Sequence, residues 1–593
     1  MSTELSQIRS RLEFIYGTDQ AAQVLPQMQA LIDKWREKLN YSGPLDGETL
    51  PLDQSHVVMI TYGDSIRRPL PSLQDGSIAF EGHTKEAPLH TLKQFADKYL
   101  QELVSTIHLL PCFPYTSDDG FSVADYRNID PNLGNWEDVE QLKENFRLMY
   151  DLVLNHCSRS IEWFLGFLSG DPRYEKFFCT SDPDEPRLKE VFRPRALPLL
   201  HRFDCTDPEG NPTGRSEWVW TTFSQDQVDV NFANPKVMLE YFDIFLDYVA
   251  RGAQIVRLDA IGFLWKELGT NCMHHPKTHA VVQLMRSLLK EVAPASVLLT
   301  ETNVPHAENI SYFGNGHNEA QMVYQFSLPP LTLNSFIQGN AGHLTAWAKG
   351  LPAPNSHFSF FNFLSSHDGI GMLPARGYLS KEEQDYLVEQ TLARGGKVNY
   401  KSTPEGDIPY ELNINYLDAI AESELPDELR AAKFLAAESI LISMAGVPGI
   451  YVHSLLGSEN WTEGMEQYGI NRRINREKLD VDSLVEELEQ TGSLRNLIYN
   501  GMKNMLRVRR AHKSFHPAAA QHIMEMAPEI FAFERGEEND RVRCLVNCSA
   551  GEVSLPCSGG KDLLTGKNFG GADSVKLEPY QVLWLAEATP STR

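Results

Sequence analysis

Gln254-Ile-Val-Arg-Leu258 is a short apolar run that closes on Asp259-Ala260, an acid placed where a strand hands over to a loop. Seven more runs of this kind recur along the chain, at 57–62, 104–110, 148–154, 297–300, 322–326, 359–364 and 449–452. Each is rich in Val, Ile, Leu or Phe, too short for a buried helix, and followed by a helix-length stretch. That texture reads as parallel strands in repeated β/α units. Eight such units suit a closed barrel, so the expected fold class is α/β, a (β/α)8 TIM barrel.

A chain of 593 residues exceeds a single compact core, and the surplus is legible at four places. Ile8, Leu12, Ile15, Leu25, Met28, Leu31, Ile32 and Trp35 fall at helical spacing, which predicts an N-terminal helical extension over 1–50. The barrel then occupies 51–515. Two gaps inside it are too long for simple crossovers: 157–231 after the third strand and 369–430 after the seventh. Both are expected to be inserted subdomains that serve the site, as long loops usually do. Over 516–593, runs such as Ile530-Phe-Ala-Phe-Glu534 and Tyr580-Gln-Val-Leu-Trp-Leu585 with Gly-rich turns predict a C-terminal antiparallel β-domain.

The chain carries 79 acidic and 54 basic side chains, a net charge of −25. That balance excludes a protein that wraps nucleic acid or lies on an anionic membrane. It leaves small anions open, because a few arginines reverse the field inside a cleft. No apolar stretch approaches the roughly 20 residues of a membrane helix, and the N-terminus lacks the pattern of a signal peptide. The eight cysteines are dispersed, which fits a reducing compartment, and the expected location is cytoplasmic. His275 and His279 stand four apart, yet Pro276 between them marks a helix start better than a metal site. Cys544, Cys548 and Cys557 read as core thiols. Neither a metal nor a cofactor is expected, and the assembly is expected to be a monomer or a homodimer.

Chemistry in such a barrel gathers where strands end. Asn155 and His156 follow the third strand, Arg257 and Asp259 close the fourth, Glu301 the fifth, and His367 and Asp368 follow the seventh. Arg257 and Asp259 are two apart and so face one side of a strand. The guanidinium is expected to lower the Asp259 pKa and keep it ionised, as a nucleophile requires. Glu301 has no basic neighbour in sequence and is expected to keep a raised pKa, as a proton donor requires. Two carboxyls with opposed pKa values are the equipment of glycoside chemistry, retaining when closely spaced.

Asp151-Leu-Val-Leu-Asn-His156, Gly252-Ala-Gln-Ile-Val-Arg-Leu-Asp-Ala260, Leu299-Thr-Glu-Thr-Asn303 and Phe363-Leu-Ser-Ser-His-Asp368 resemble, in order, the four short motifs of the α-amylase clan. Gln227-Val-Asp-Val-Asn231 resembles the fifth. The resemblance implies Asp259 as nucleophile, Glu301 as general acid/base and Asp368 as the carboxylate steadying an oxocarbenium-like transition state. His156, Arg257 and His367 are then glucose-shell residues. Ser117-Asp-Asp-Gly-Phe121, Arg193-Pro-Arg-Ala-Leu-Pro198 and Asn471-Arg-Arg-Ile-Asn-Arg476 resemble the sucrose-phosphorylase branch. By that resemblance Asp118, Phe121, Phe223, Gln227 and Arg476 bind glucose, and Arg195 contacts phosphate.

Phe263 departs from that branch, which carries a tyrosine there, and Pro409-Tyr-Glu-Leu-Asn-Ile-Asn415 replaces its acceptor loop. Glu411 and Asn413 therefore point to a different acceptor, as in the phosphorylases of glucosylglycerol and glucosylglycerate. A glycerate acceptor requires a free cation. Segment 401–415 holds Lys401 against Glu405, Asp407 and Glu411, which favours neutral glycerol. The expected enzyme is a hexosyltransferase: a retaining α-glucoside phosphorylase that uses a small glucoside and inorganic phosphate to yield α-D-glucose 1-phosphate. The alternatives are a glucosylglycerate, sucrose or sucrose 6'-phosphate phosphorylase, and beyond these an α-glucosidase or transglucosylase.

Overall fold

The computed structural model describes residues 3–41, 49–69, 86–194, 197–353, 355–403, 406–537, 540–556, 558–569 and 574–586. Eight strands form its centre: β1 (Val58–Thr61), β2 (Thr106–Leu109), β3 (Arg147–Val153), β4 (Ala253–Asp259), β5 (Val297–Thr300), β6 (Met322–Tyr324), β7 (Ser359–Asn362) and β8 (Val447–Tyr451). They pair in parallel around a closed barrel, β8 returning to β1 with Gly449 opposite Val58. Gly449 lets the barrel close tightly there, since a Cβ would stand 2.2 Å from the Phe361 ring. Nearly every strand residue is buried, because helices cover the outside and side chains fill the inside. All eight runs read from sequence are strands, displaced by no more than a few residues at their ends.

Register matters most between β3 and β4. Asp151 lies opposite Arg257 and Val153 opposite Asp259, so the charged residues of the two strands meet as neighbours.

The N-terminal residues form α1 (Thr3–Tyr16) and α2 (Thr18–Leu39), which bury Ile8, Leu12, Ile15, Val24, Met28, Ile32 and Trp35. The Trp35 indole N–H donates to Asp243 at 2.8 Å and the Tyr16 hydroxyl to the Phe232 carbonyl at 2.8 Å. The extension is thus docked on the outer helices, and Tyr16 also meets Trp265 in the loop after β4, ring centroids 6.5 Å apart.

After β3 the chain builds a short antiparallel pair, His156–Ser158 with Gln227–Asp229, and a hairpin, Leu200–Thr206 with Pro212–Trp220. After β7 it builds a three-stranded antiparallel sheet of Ile370–Gly371, Lys397–Thr403 and Gly406–Asn413. The C-terminal region is a six-stranded antiparallel sheet with a separate two-stranded one. Buried Arg535 ties it to the barrel, donating to the Ser443 carbonyl at 2.6 Å and the His516 carbonyl at 2.7 Å. Among the described residues no helix is long and apolar enough to cross a membrane. The helix Pro276–Val292 begins with Pro276, and His275 caps it by accepting from the Lys277 N–H.

Candidate active site

One cleft opens at the C-terminal ends of the strands, with about 900 Å3 of space including its mouth. Its walls include Asp259, Glu301, Asp368, Asp118, Phe121, His156, Phe223, Gln227, Arg257, His367 and Glu411, eleven residues from distant segments that sequence alone had singled out.

Arg257 organises the floor. Its guanidinium pairs with Asp151, donates to Asp259 Oδ1 at 2.9 Å, and lies 3.8 Å from Glu301 Oε2. Asp151 receives His108 on its other oxygen at 2.6 Å. Burial pushes Asp151 up, but Arg257 and His108 win and hold it near 2. Arg257 therefore reaches the cleft with part of its charge already committed. Ala260 adopts the left-handed region (φ 49°), which aims its N–H at Glu301 Oε2, 3.0 Å away. A non-glycine residue held there is local strain that the surrounding barrel fixes.

Burial raises the Asp259 carboxyl well above its usual range; Arg257 pulls it down, while Glu301, Asp151 and Asp368 push the same way as burial. The expectation that Arg257 sets a low value is corrected: its pull is real but loses to the desolvation of a buried carboxyl. Glu301 is also raised, by burial first, with Arg257 opposing. Its cation comes from β4, 44 residues away in sequence, and so was invisible beside it. The two carboxyls titrate as a pair. Asp259 holds the direct guanidinium hydrogen bond, so when one proton is shared the charge belongs on Asp259 and the proton on Glu301.

Asp368 behaves differently. Burial pushes it up, but Arg472, His367, Arg476 and Arg257 together hold it well below the ordinary carboxylate range. Arg472 supplies the nearest charge, Nη1 to Oδ1 at 2.6 Å.

The far wall is a hydrogen-bonded aromatic surface. Phe121 stacks on His367 with centroids 4.8 Å apart and 8° between planes. Gln227 Nε2 donates toward Asp118 Oδ2 at 3.2 Å and the Phe121 carbonyl at 3.3 Å. His156 Nε2 lies 3.0 Å from that same carbonyl, and Phe223 packs beside His156 at 5.0 Å. Burial lowers His156 to about 4 and His367 to about 3, so both rings are neutral hydrogen-bonding groups at neutral pH. Asp118 and Asp119 are both left-handed (φ 54° and 50°). That turn sends Asp118 into the cleft and Asp119 behind it.

Two expectations meet a different arrangement, and a third is not met at all. Arg476 does not line the cleft: it lies beneath, donating to the His367 carbonyl at 2.7 Å and pairing with Asp119 at 2.5 Å. The arginine at the wall is Arg472, which grips Glu411 through both oxygens, at 2.9 and 2.6 Å. Asn413 is fully buried two residues past Glu411 and is not part of the wall. Arg195 lies outside the described residues. Sequence reasoning also passed over Asp151, Asn303 and Tyr410, the last two of which line the cleft. Asp151 was findable, since aligning the quoted β3 and β4 motifs side by side sets it against Arg257. Arg472 was not, because its partners Asp368 and Glu411 stand 104 and 61 residues away.

The case for glycerol weakens with the same geometry. Glu411 is neutralised by Arg472, Asp407 is exposed, and Glu405 lies outside the described residues. The acid count of 401–415 therefore does not describe the charge that an acceptor meets.

A family model for the α-amylase catalytic domain matches residues 94–368. The chain is 48% identical to the glucosylglycerate phosphorylase of Spirochaeta thermophila, over 98% of each chain. It is 45% identical to that of Allomeiothermus silvanus, over 99% of this chain and 100% of the relative. Similarity to the glucosylglycerol phosphorylase of Marinobacter adhaerens is 27%, over 68% and 81%, so the comparison does not support glycerol. The crystal structure of sucrose 6F-phosphate phosphorylase from Thermoanaerobacter thermosaccharolyticum shares the fold, with a TM-score of 0.71 at 23% identity over 88% of this chain and 98% of that one. The chain belongs to the α-amylase family, in its sucrose-phosphorylase branch, and is a glycoside phosphorylase.

Proposed function

We propose that the enzyme catalyses retaining, reversible phosphorolysis of an α-glucosylglycerate to α-D-glucose 1-phosphate and glycerate. In the first step Asp259 attacks the anomeric carbon while Glu301 gives its proton to the departing glycerate oxygen. A β-glucosyl ester on Asp259 results, with the sugar configuration inverted once. In the second step phosphate attacks the same carbon, its hydroxyl proton passing to Glu301, and the ester bond to Asp259 breaks. The second inversion restores the α configuration. Asp368, held ionised by Arg472, faces the positive charge that develops on the ring. His156, His367, Asp118, Gln227, Phe121 and Phe223 hold the glucosyl group, with Arg257 beneath the two reacting carboxyls.

The observation that carries the choice of acceptor is the full-length likeness to glucosylglycerate phosphorylases, at 48 and 45% identity. The test is release of α-glucose 1-phosphate from glucosylglycerate, glucosylglycerol and sucrose, each with and without phosphate. Glucosylglycerate is expected to be the preferred donor and to depend on phosphate. Preference for glucosylglycerol, or equal release of free glucose without phosphate, refutes the assignment.

A further inference from the structure

Lys266 lies in the loop after β4 with its side chain 7% exposed, and its ammonium finds an oxygen for each of its three protons. Nζ donates to Asn155 Oδ1, to the Phe263 carbonyl at 2.7 Å, and toward Asp229 Oδ2 at 3.1 Å. Asn155 follows β3, and Asp229 stands opposite His156 in the short antiparallel pair. Both are fully buried. One cation thus ties three segments together behind the glucose wall, without itself lining the cleft.

An ammonium only donates, which settles the orientation of the Asn155 amide. The atom facing Lys266 is the carbonyl oxygen, so Nδ2 faces His156, 3.2 Å from its Nδ1. An amide nitrogen also only donates. His156 Nδ1 must therefore accept, and the proton of the neutral ring sits on Nε2. The other side of the ring agrees, since Nε2 lies 3.0 Å from the Phe121 carbonyl, which can only accept.

A second proton, on Nδ1, is what the neighbouring acids invite. The charged groups that face the ring are Asp118 from the turn after β2, Asp229 from the inserted pair and Lys266 from the loop after β4. Burial holds the ring neutral and Lys266 adds to it, against Asp229 and Asp118, so that His156 titrates only at about 4. An imidazolium in the glucose wall sets a positive charge beside a sugar ring that itself turns positive in the transition state. A neutral ring with Nε2–H offers a hydrogen bond without that charge.

We propose that Lys266 is a positioning residue that, through Asn155, keeps His156 singly protonated on Nε2 and bars a second proton from Nδ1. The inference rests on His156 holding the glucosyl group and is independent of the acceptor. Without the ammonium, the Asn155 amide is free to turn over and offer Oδ1 to Nδ1, and Asp229 loses its cation. Both changes draw the second proton on.

The test uses the full-length enzyme with 13C-labelled histidine, the His156 signals being identified by their loss in His156→Gln. The Cδ2 shift reports which nitrogen holds the proton, and the Cε1 shift follows the second protonation with pH. Wild type is expected to show Nε2–H and to stay neutral down to about pH 5. In Lys266→Met the second protonation is expected about one to two pH units higher. Asn155→Asp is expected to do the same with Lys266 in place, because its second oxygen accepts from Nδ1–H. That variant keeps the buried cation paired, and so decides the matter if Lys266→Met does not fold.

Arsenolysis of α-glucose 1-phosphate, which needs no acceptor, supplies the kinetic readout. The ratio of variant to wild-type kcat/KM is expected to fall about twofold to tenfold from pH 8 to pH 5, the titrations of arsenate and of the Asp259–Glu301 pair dividing out. A His156 that stays neutral with Nε2–H in both variants, or a ratio equal at the two pH values, overturns the proposal and leaves Lys266 as a tie between segments. A wild-type His156 that carries its proton on Nδ1, or is charged at pH 7, overturns it as well. A wild-type enzyme that performs no arsenolysis refutes the glucosyl-transfer reading, whereas the His156 signals still decide this inference.

Discussion

Arg257 stands between three carboxylates, and the unequal distances decide what each can do. Asp151 takes one edge of the guanidinium, Asp259 accepts from it at 2.9 Å, and Glu301 is left at 3.8 Å. Replacement of Glu301 by Gln should therefore separate the two roles. With glucosylglycerate, whose leaving oxygen needs a proton, the first step should slow about a hundredfold to ten-thousandfold. With α-glucosyl fluoride, whose leaving group needs none, it should remain close to wild type; stopped-flow measurement of both would show this, and equal losses would contradict the role. The sign of the pH dependence follows from burial. Glu301 is raised from its ordinary 4.5, so its acid form persists to higher pH and glycoside cleavage falls as pH climbs through the upper pKa of the pair. That descending limb should be absent in the Gln variant.

At the scale of the element, the helix Asp427–Ser443 carries an anomaly. Glu438 is wholly buried on it, and burial pushes its carboxyl up from 4.5 to about 8. The proton is kept in the folded state and lost more readily in the unfolded chain. Its contribution is complete below about 4.5 and disappears as pH rises to about 8. Glu438→Gln is neutral at every pH, so its thermal midpoint should exceed wild type at pH 8 and come close to it at pH 5, by calorimetry. Such a residue marks the limit of reading elements from sequence. The eight strands were legible because each is a short apolar run with both faces covered, and the cleft carboxylates because they end or follow such runs. The strand hairpin of 397–413 was less so: its Lys, Asn, Tyr and Asp residues give no clear alternation, and it is recognisable only by pairing with itself. Arg472 and Arg476 lie in one short turn, and which of them meets the cleft is decided by how that turn packs on Asp119 and Asp368. No local pattern encodes that choice.

For the whole molecule, the charge of −25 is spread over a surface rich in ion pairs, most of them exposed and individually weak. Net repulsion among the surplus acids acts over the Debye length, about 30 Å at 0.01 M salt and about 8 Å at 0.15 M. Raising sodium chloride across that interval should therefore raise the thermal midpoint; a fall would mean that the ion pairs outweigh the net repulsion. The same surface leaves the field inside the cleft to be set locally, by Arg257 and Arg472 from separate segments. The hairpin Lys397–Asn413 is also tied to one short turn: Asn399 accepts from Asn471 at 2.8 Å, and Glu411 is clasped by the adjacent Arg472. The three carboxylates Asp259, Glu301 and Asp368 are carried elsewhere, on β4, at the end of β5 and after β7. The same Arg472 that clasps Glu411 also reaches Asp368, at 2.6 Å, so hairpin and carboxylate share one cation. A hairpin exchanged for another would have to return a carboxylate to that guanidinium, or the charge beside Asp368 would change with it.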